Sequence, residues 1–186
     1  SVARDFVELP SQIMENWAFQ KEVLAGYARH YETGEVIPDS LVAKIEAAAN
    51  FNQGFMTTEL AAASILDMKW HELTSAEGLD PMAFEKAACE EMGLIDEIIP
   101  RYRSTYFAHI FSGGYSAGYY SYLWAEVLDK DAFELFMEKG IFDAETAMSF
   151  RRNILEKGGS DEPMDLYRRF RGADPDSGAL LRGRGL

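Results

Sequence analysis

The sequence predicts a mainly α-helical protein with little or no β-structure, and three observations carry that expectation. Apolar residues recur at three- and four-residue steps over most of the chain, the period of one helix face. Prolines beside small polar residues stand where helices would open, and glycines stand where they would end. Strand-like alternation is absent, with Thr105–Phe111 the one weak exception.

The elements follow in order. Pro10 stands at an opening turn with Ser11 close by. From there Ile13, Met14, Trp17, Val23, Leu24, Tyr27 and Tyr31 read as one long amphipathic helix ending at Thr33-Gly34. Pro38-Asp39-Ser40 opens a second helix through Ala49, with Leu41, Val42, Ile45 and Ala49 on its apolar side. Phe51-Asn52-Gln53-Gly54 breaks it. A third helix is expected over 57–73 and a fourth over 81–92, and 93–105 reads as irregular. Tyr106-Phe107-Ala108-His109-Ile110-Phe111 then leads into Ser112-Gly113-Gly114, and 115–124 continues as a helix-like apolar stretch. Short helices are expected over 131–139, 143–155 and 163–171, the last two separated by the stop-and-cap run Gly158-Gly159-Ser160-Asp161-Glu162-Pro163. The Gly/Asp/Arg-rich tail from Gly172 is expected to pack on a surface or fray. No repeat or low-complexity linker divides the chain.

Composition narrows the function classes. The chain has 186 residues, 47% of them hydrophobic and 13% aromatic, enough for one sizeable core and too apolar for a disordered protein. Lys and Arg number 18 against 31 Asp and Glu, a formal charge of −13. That balance argues against a nucleic-acid partner, which wants a basic surface, and against a polybasic membrane anchor. No apolar run reaches the roughly 18 residues a membrane span needs. The single cysteine, Cys89, closes no internal disulfide and reads as a small buried apolar residue. Ser1-Val2-Ala3-Arg4-Asp5-Phe6 is not a signal peptide. A cytoplasmic location is expected, and nothing in the sequence excludes the periplasm.

Three histidines are the candidate metal or acid–base groups: His30, His71 and His109. His71-Glu72 begins like the zinc-helix signature HExxH, but Ser75 stands where the second imidazole must be, so His71 reads as a surface or core histidine. His30 suits a helix C-terminus. His109 differs in its neighbours. Tyr115, Tyr119 and Tyr122 are spaced four and three apart, which on a helix is one face. Gly113-Gly114 would let the chain turn sharply between His109 and that face. Imidazole and phenols aimed at one point can donate to a substrate carbonyl or a developing oxyanion. Spacing alone equally describes ordinary amphipathic packing. Glu8, between apolar residues just before a proline-opened helix, reads from position alone as a carboxylate favoured by the macrodipole.

Two segments carry a family resemblance. Arg4-Asp5-Phe6-Val7-Glu8-Leu9-Pro10-Ser11-Gln12 followed by Met14-Glu15-Asn16-Trp17 resembles the segment of thimet-oligopeptidase-type zinc peptidases that follows their HExxH helix. His109-Ile110-Phe111-Ser112-Gly113-Gly114-Tyr115, Tyr119-Tyr120 and Tyr122-Leu123-Trp124 resemble the glycine–tyrosine substrate-binding segment of the same family. Arg101-Tyr102-Arg103-Ser104-Thr105-Tyr106-Phe107-Ala108-His109 and Leu66-Asp67-Met68-Lys69-Trp70-His71 look most like its bacterial peptidyl-dipeptidase (Dcp) branch. The resemblance is collinear over nearly the whole chain.

The resemblance implies a helical zincin-type catalytic domain and a parent enzyme that hydrolyses short peptides, releasing dipeptides from their C-termini. It implies Zn2+ held by the two histidines of HExxH and a downstream glutamate, which Glu8 matches. It implies that His109, Tyr115 and Tyr122 act catalytically and, with Tyr119, contact substrate. HExxH itself does not occur in the sequence. Residues 1–186 are therefore expected to be a C-terminal fragment of one catalytic domain whose zinc helix lies upstream. Such a fragment is expected to be inactive, to bind zinc weakly or not at all, and to self-associate through apolar faces around residues 1–20 and 106–124. Arg101 or Arg103 is a candidate for holding a substrate carboxylate. The competing reading is a non-catalytic helical interaction module, in which Glu8 and the tyrosines are core or interface residues.

Overall fold

A computed structural model describes residues 1–186. It is all-helical, with ten α-helices and no sheet: α1 Leu9–Ala18, α2 Lys21–Tyr27, α3 Asp39–Ala48, α4 Gln53–His71, α5 Pro81–Glu91, α6 Ala108–Phe111, α7 Ser121–Lys139, α8 Ala144–Phe150, α9 Pro163–Arg171 and α10 Ser177–Gly183. A 3-10 turn covers Ser104–Tyr106, and α8 runs on into a π-helical turn over Arg151–Leu155. Local chemistry places the ends. Pro10, Pro81 and Pro163 open α1, α5 and α9 at positions that need no N–H partner. Asp80 accepts the N–H groups of Met82 and Ala83 at 2.8 and 2.9 Å, and Asp143 accepts that of Thr146 at 2.7 Å. Gly172 closes α9 with φ +82°.

The chain forms two compact units. The first comprises Ser1–Phe51 with Ala125–Leu186, the second Asn52–Trp124. In the first unit, Leu9 and Ile13 of α1 are fully buried. Trp17 packs edge-on against Phe133 and Phe136, with centroids 4.7 and 4.8 Å away, and its Nε1–H donates to the Ile141 carbonyl at 2.8 Å. In the second unit, Ala63, Phe107, Ile110 and Tyr119 form a buried cluster flanked by Leu60, Trp70, Tyr102, Tyr115 and Tyr122.

Four expectations change. The long N-terminal helix is two helices, because Gln20 is extended (φ −70°, ψ 135°) and α2 packs back on α1 with Leu24 buried. Met14, Tyr27 and Tyr31 of the expected apolar stripe are exposed, and Tyr31 lies in a turn closed by the Arg29–Val36 bridge. The weak strand candidate at Thr105–Phe111 is a 3-10 turn running into α6. Conversely, α7 is continuous where two separate segments were expected. Asp129 and Asp131 interrupt its apolar pattern yet are buried, the first accepting from Asn16 at 3.0 Å, the second from Tyr167 at 2.6 Å and Arg171 at 3.2 Å. Burial pushes the Asp129 carboxyl up, and burial together with Asp131 pushes the Tyr167 phenol up. The tail does not fray: α10 buries Ala179 and Leu180, and Arg182 grips Glu134 through two bonds of 2.8 Å.

Candidate active-site segment

The glycine–tyrosine segment lies wholly in the second unit, and the structure gives it a different backbone from the expected one. Residues 116–120 are turns, Tyr115 has no regular structure, and only Tyr122 of the three spaced tyrosines is helical. The phenols nevertheless converge. Tyr115 and Tyr122 stack with centroids 5.3 Å apart, and Tyr119 lies 5.2 Å from Tyr122. The His109 ring stands 6.0 Å from Tyr115, 5.5 Å from Tyr119 and 6.3 Å from Tyr122. Turn geometry, not helical period, therefore brings the four together. Tyr119 is almost fully buried and its ring is a core residue, whereas His109, Tyr115 and Tyr122 are half-buried. Burial pushes the Tyr119 phenol up to about 12, and the Arg101 guanidinium opposes that shift. At neutral pH its hydroxyl is protonated and able to donate.

The two glycines do different jobs. A Cβ on Gly113 would meet the His109 Cα at 2.9 Å and the His109 carbonyl oxygen at 3.0 Å, so this position has no room for a side chain. Gly114 has φ +81°, which glycine adopts without strain. Between them they let Tyr115 N–H donate to the His109 carbonyl at 2.9 Å, and the Ser116 hydroxyl to the Ile110 carbonyl at 2.6 Å. Three residues after Gly114, Ala117 has φ +52°, a left-handed conformation costing a non-glycine residue about 1–2 kcal/mol.

The walls include residues that the sequence pattern did not single out. Tyr102 stacks on Phe107 at 5.1 Å and reaches to 4.9 Å from His109. Asp67 of α4 is fully buried and accepts the backbone N–H groups of Ala117 at 3.0 Å and Tyr119 at 2.8 Å. His71, one turn on and at the surface, places Nδ1 2.8 Å from the same carboxylate. An acidic residue between Leu66 and Met68, in the otherwise uncharged run 60–68 of α4, was the available signal. Glu85, also buried, pairs with Arg103 and accepts the Ser104 N–H at 2.6 Å, while Ser104 accepts from Trp70 Nε1 at 2.8 Å. Arg103 is thereby committed to holding the entry to the segment, and Arg101 is left exposed.

Glu8 belongs to the first unit. It is the N-cap residue of α1, half-buried, and Ser11 Oγ donates to its carbonyl at 2.9 Å and to Oε2 at 3.1 Å. The structure groups no three His, Cys, Asp or Glu side chains in a way that could hold a metal ion. A tight zinc site takes three or four converging donors.

The sequence pattern of peptidase family M3 matches residues 1–186. The chain belongs to peptidase family M3. It is 46% identical over 186 residues to the dipeptidyl carboxypeptidase of Escherichia coli (strain K12), an overlap covering 98% of this chain and 27% of that protein. It is 44% identical over 191 residues to oligopeptidase A of the same organism, with the same two coverages. Saccharolysin of Saccharomyces cerevisiae (strain ATCC 204508 / S288c) is 34% identical over 189 residues, covering 100% of this chain and 26% of that protein. This M3 chain thus spans about a quarter of the length of the curated relatives it matches. None of its helices is long and apolar enough to cross a membrane.

Proposed function

We propose that residues 1–186 are part of the catalytic domain of a zinc peptidase that hydrolyses short peptides and releases dipeptides from their C-termini. The single observation that carries this reading is the convergence of His109, Tyr115 and Tyr122 around a glycine turn in a chain of family M3. The names of two relatives, dipeptidyl carboxypeptidase and oligopeptidase A, support peptide cleavage as the reaction.

In this reading Glu8 is one zinc ligand, and the remaining ligands and the general base come from an HExxH helix outside residues 1–186. A zinc ion held there would supply Lewis-acid polarisation of the scissile carbonyl and of water. His109, Tyr115 and Tyr122 bind the peptide and donate hydrogen bonds to the carbonyl oxygen as charge develops on it. Tyr119, packed behind them, keeps their rings in place and supplies a protonated hydroxyl. Arg101, the exposed cation of this segment, meets the free carboxylate of the substrate. The exposed apolar side chains Met14, Phe19, Tyr106 and Phe111 make self-association the expected behaviour of the isolated chain.

The test is a hydrolysis assay of the full-length enzyme on an N-terminally blocked tripeptide, with and without chelator. Chelator-sensitive release of a dipeptide is expected. No hydrolysis of any short peptide by the zinc-loaded enzyme overturns the reading.

A further inference from the structure

Asp67 is a carboxylate in the interior of α4, fully buried. A buried carboxylate is tolerated only when hydrogen-bonded on both oxygens. Here Oδ1 takes the N–H of Ala117 at 3.0 Å and Oδ2 that of Tyr119 at 2.8 Å, with His71 Nδ1 2.8 Å from Oδ1. Two of these donors lie 50 and 52 residues further along the chain, in one turn. That turn contains Ala117 at φ +52°, a conformation that persists in a non-glycine residue only where the surroundings over-determine it. Asp67 supplies the determination, since alternate amides of the turn are aimed at the two oxygens of one carboxylate.

What the turn carries gives the grip its consequence. Tyr115 precedes it, Tyr119 is gripped directly, and Tyr122 follows in the first turn of α7. We propose that Asp67 is a positioning residue for catalysis: by locking the backbone of Ala117–Tyr119 from behind, it holds the phenols of Tyr115 and Tyr122 in register with the His109 imidazole. It acts through main-chain N–H groups. His71 orients the carboxylate from the helix side. This inference rests on the peptidase reading above for its functional half and on the hydrogen bonds alone for its structural half.

The experiment compares wild type with Asp67→Asn and Asp67→Ala in the full-length enzyme. Asparagine keeps the size but turns an NH2 group against one of the two amides. At temperatures where each variant is folded and carries the wild-type zinc content, kcat per folded molecule is expected to fall about 10- to 100-fold in Asp67→Asn, with KM changed less than kcat. A merely structural residue would lower the melting temperature and leave kcat per folded molecule within twofold, and that result overturns the proposal. Hydrogen exchange on the wild-type protein needs no variant to fold. The Ala117 and Tyr119 amides are expected to exchange at least about 100-fold more slowly than exposed turn amides, and exchange at the exposed rate overturns the grip itself. A wild-type enzyme that cleaves no peptide overturns the peptidase reading instead, and the exchange result then stands or falls separately.

Discussion

The rings of Tyr115 and Tyr122 lie stacked, centroids 5.3 Å apart and planes 18° from parallel, although one residue sits just before a turn and the other in the helix after it. Seven residues apart on a continuous helix they would share a face two turns apart, too far for this contact. The turn shortens the path and makes one surface from two phenols.

That surface sets the first prediction. Tyr122→Phe keeps the stacking ring and removes the hydroxyl. In the full-length enzyme kcat is expected to fall about 100-fold, the usual cost of deleting one donor to a developing oxyanion. Steady-state kinetics at a temperature where the variant is folded checks it.

Gly113→Ala would drive a methyl group into the His109 backbone. The turn must shift to admit it, and we expect a loss of about 2–3 kcal/mol of stability. Urea unfolding measures it. Gly26, which has nothing within 4 Å of its would-be Cβ, serves as the control: Gly26→Ala, in the interior of α2, should be neutral or stabilising.

Tyr119 gives a pH prediction. Its phenol is raised to about 12 from an ordinary value of 10, mainly by burial. In the unfolded chain it loses its proton first, so between pH 10 and 12 the unfolded state binds fewer protons than the native one. Stability contributed by this group is complete below pH 10 and declines as pH rises towards 12. The difference in tyrosinate absorbance between wild type and Tyr119→Phe during an alkaline titration should show one phenol titrating late, apart from that of Tyr167.

Arg101 and Arg103 are predicted to separate by readout. Arg103→Ala leaves the buried Glu85 charge unpaired and is expected to cost about 3 kcal/mol in unfolding experiments. Arg101→Ala is expected to leave stability unchanged and to raise KM about tenfold for peptides with a free C-terminus, with little effect on C-terminally amidated ones. Equal KM changes for both peptide types would remove Arg101 from carboxylate recognition.

The isolated 186-residue chain is expected to show no chelator-sensitive hydrolysis and only weak zinc binding, since one carboxylate is too few donors. Tight one-to-one zinc binding in calorimetry would contradict this. Light scattering should reveal self-association through exposed Met14, Phe19 and Phe111.

The helical class was readable because period and caps are local properties. Pro10, Pro81 and Pro163 and the capping Asp80 and Asp143 each mark a helix start within a residue or two of where it lies. The buried carboxylates share one reason for being misread. Asp129, Asp131 and Asp67 look like solvent-facing residues in a one-dimensional pattern, yet each is buried against donors far along the chain. Their partners, Asn16, Tyr167 and the Ala117–Tyr119 amides, are invisible to any window of neighbouring residues.

Sequence alone determined the helical class, the family resemblance and the identity of His109, Tyr115, Tyr119 and Tyr122 as a candidate group, because these depend on residue type and near-neighbour spacing. Only the tertiary structure decided that the tyrosines meet through a strained turn rather than along a helix, and that Asp67 holds that turn. A hydrogen bond spanning 52 residues leaves no periodic trace, because its geometry exists only once both segments are folded.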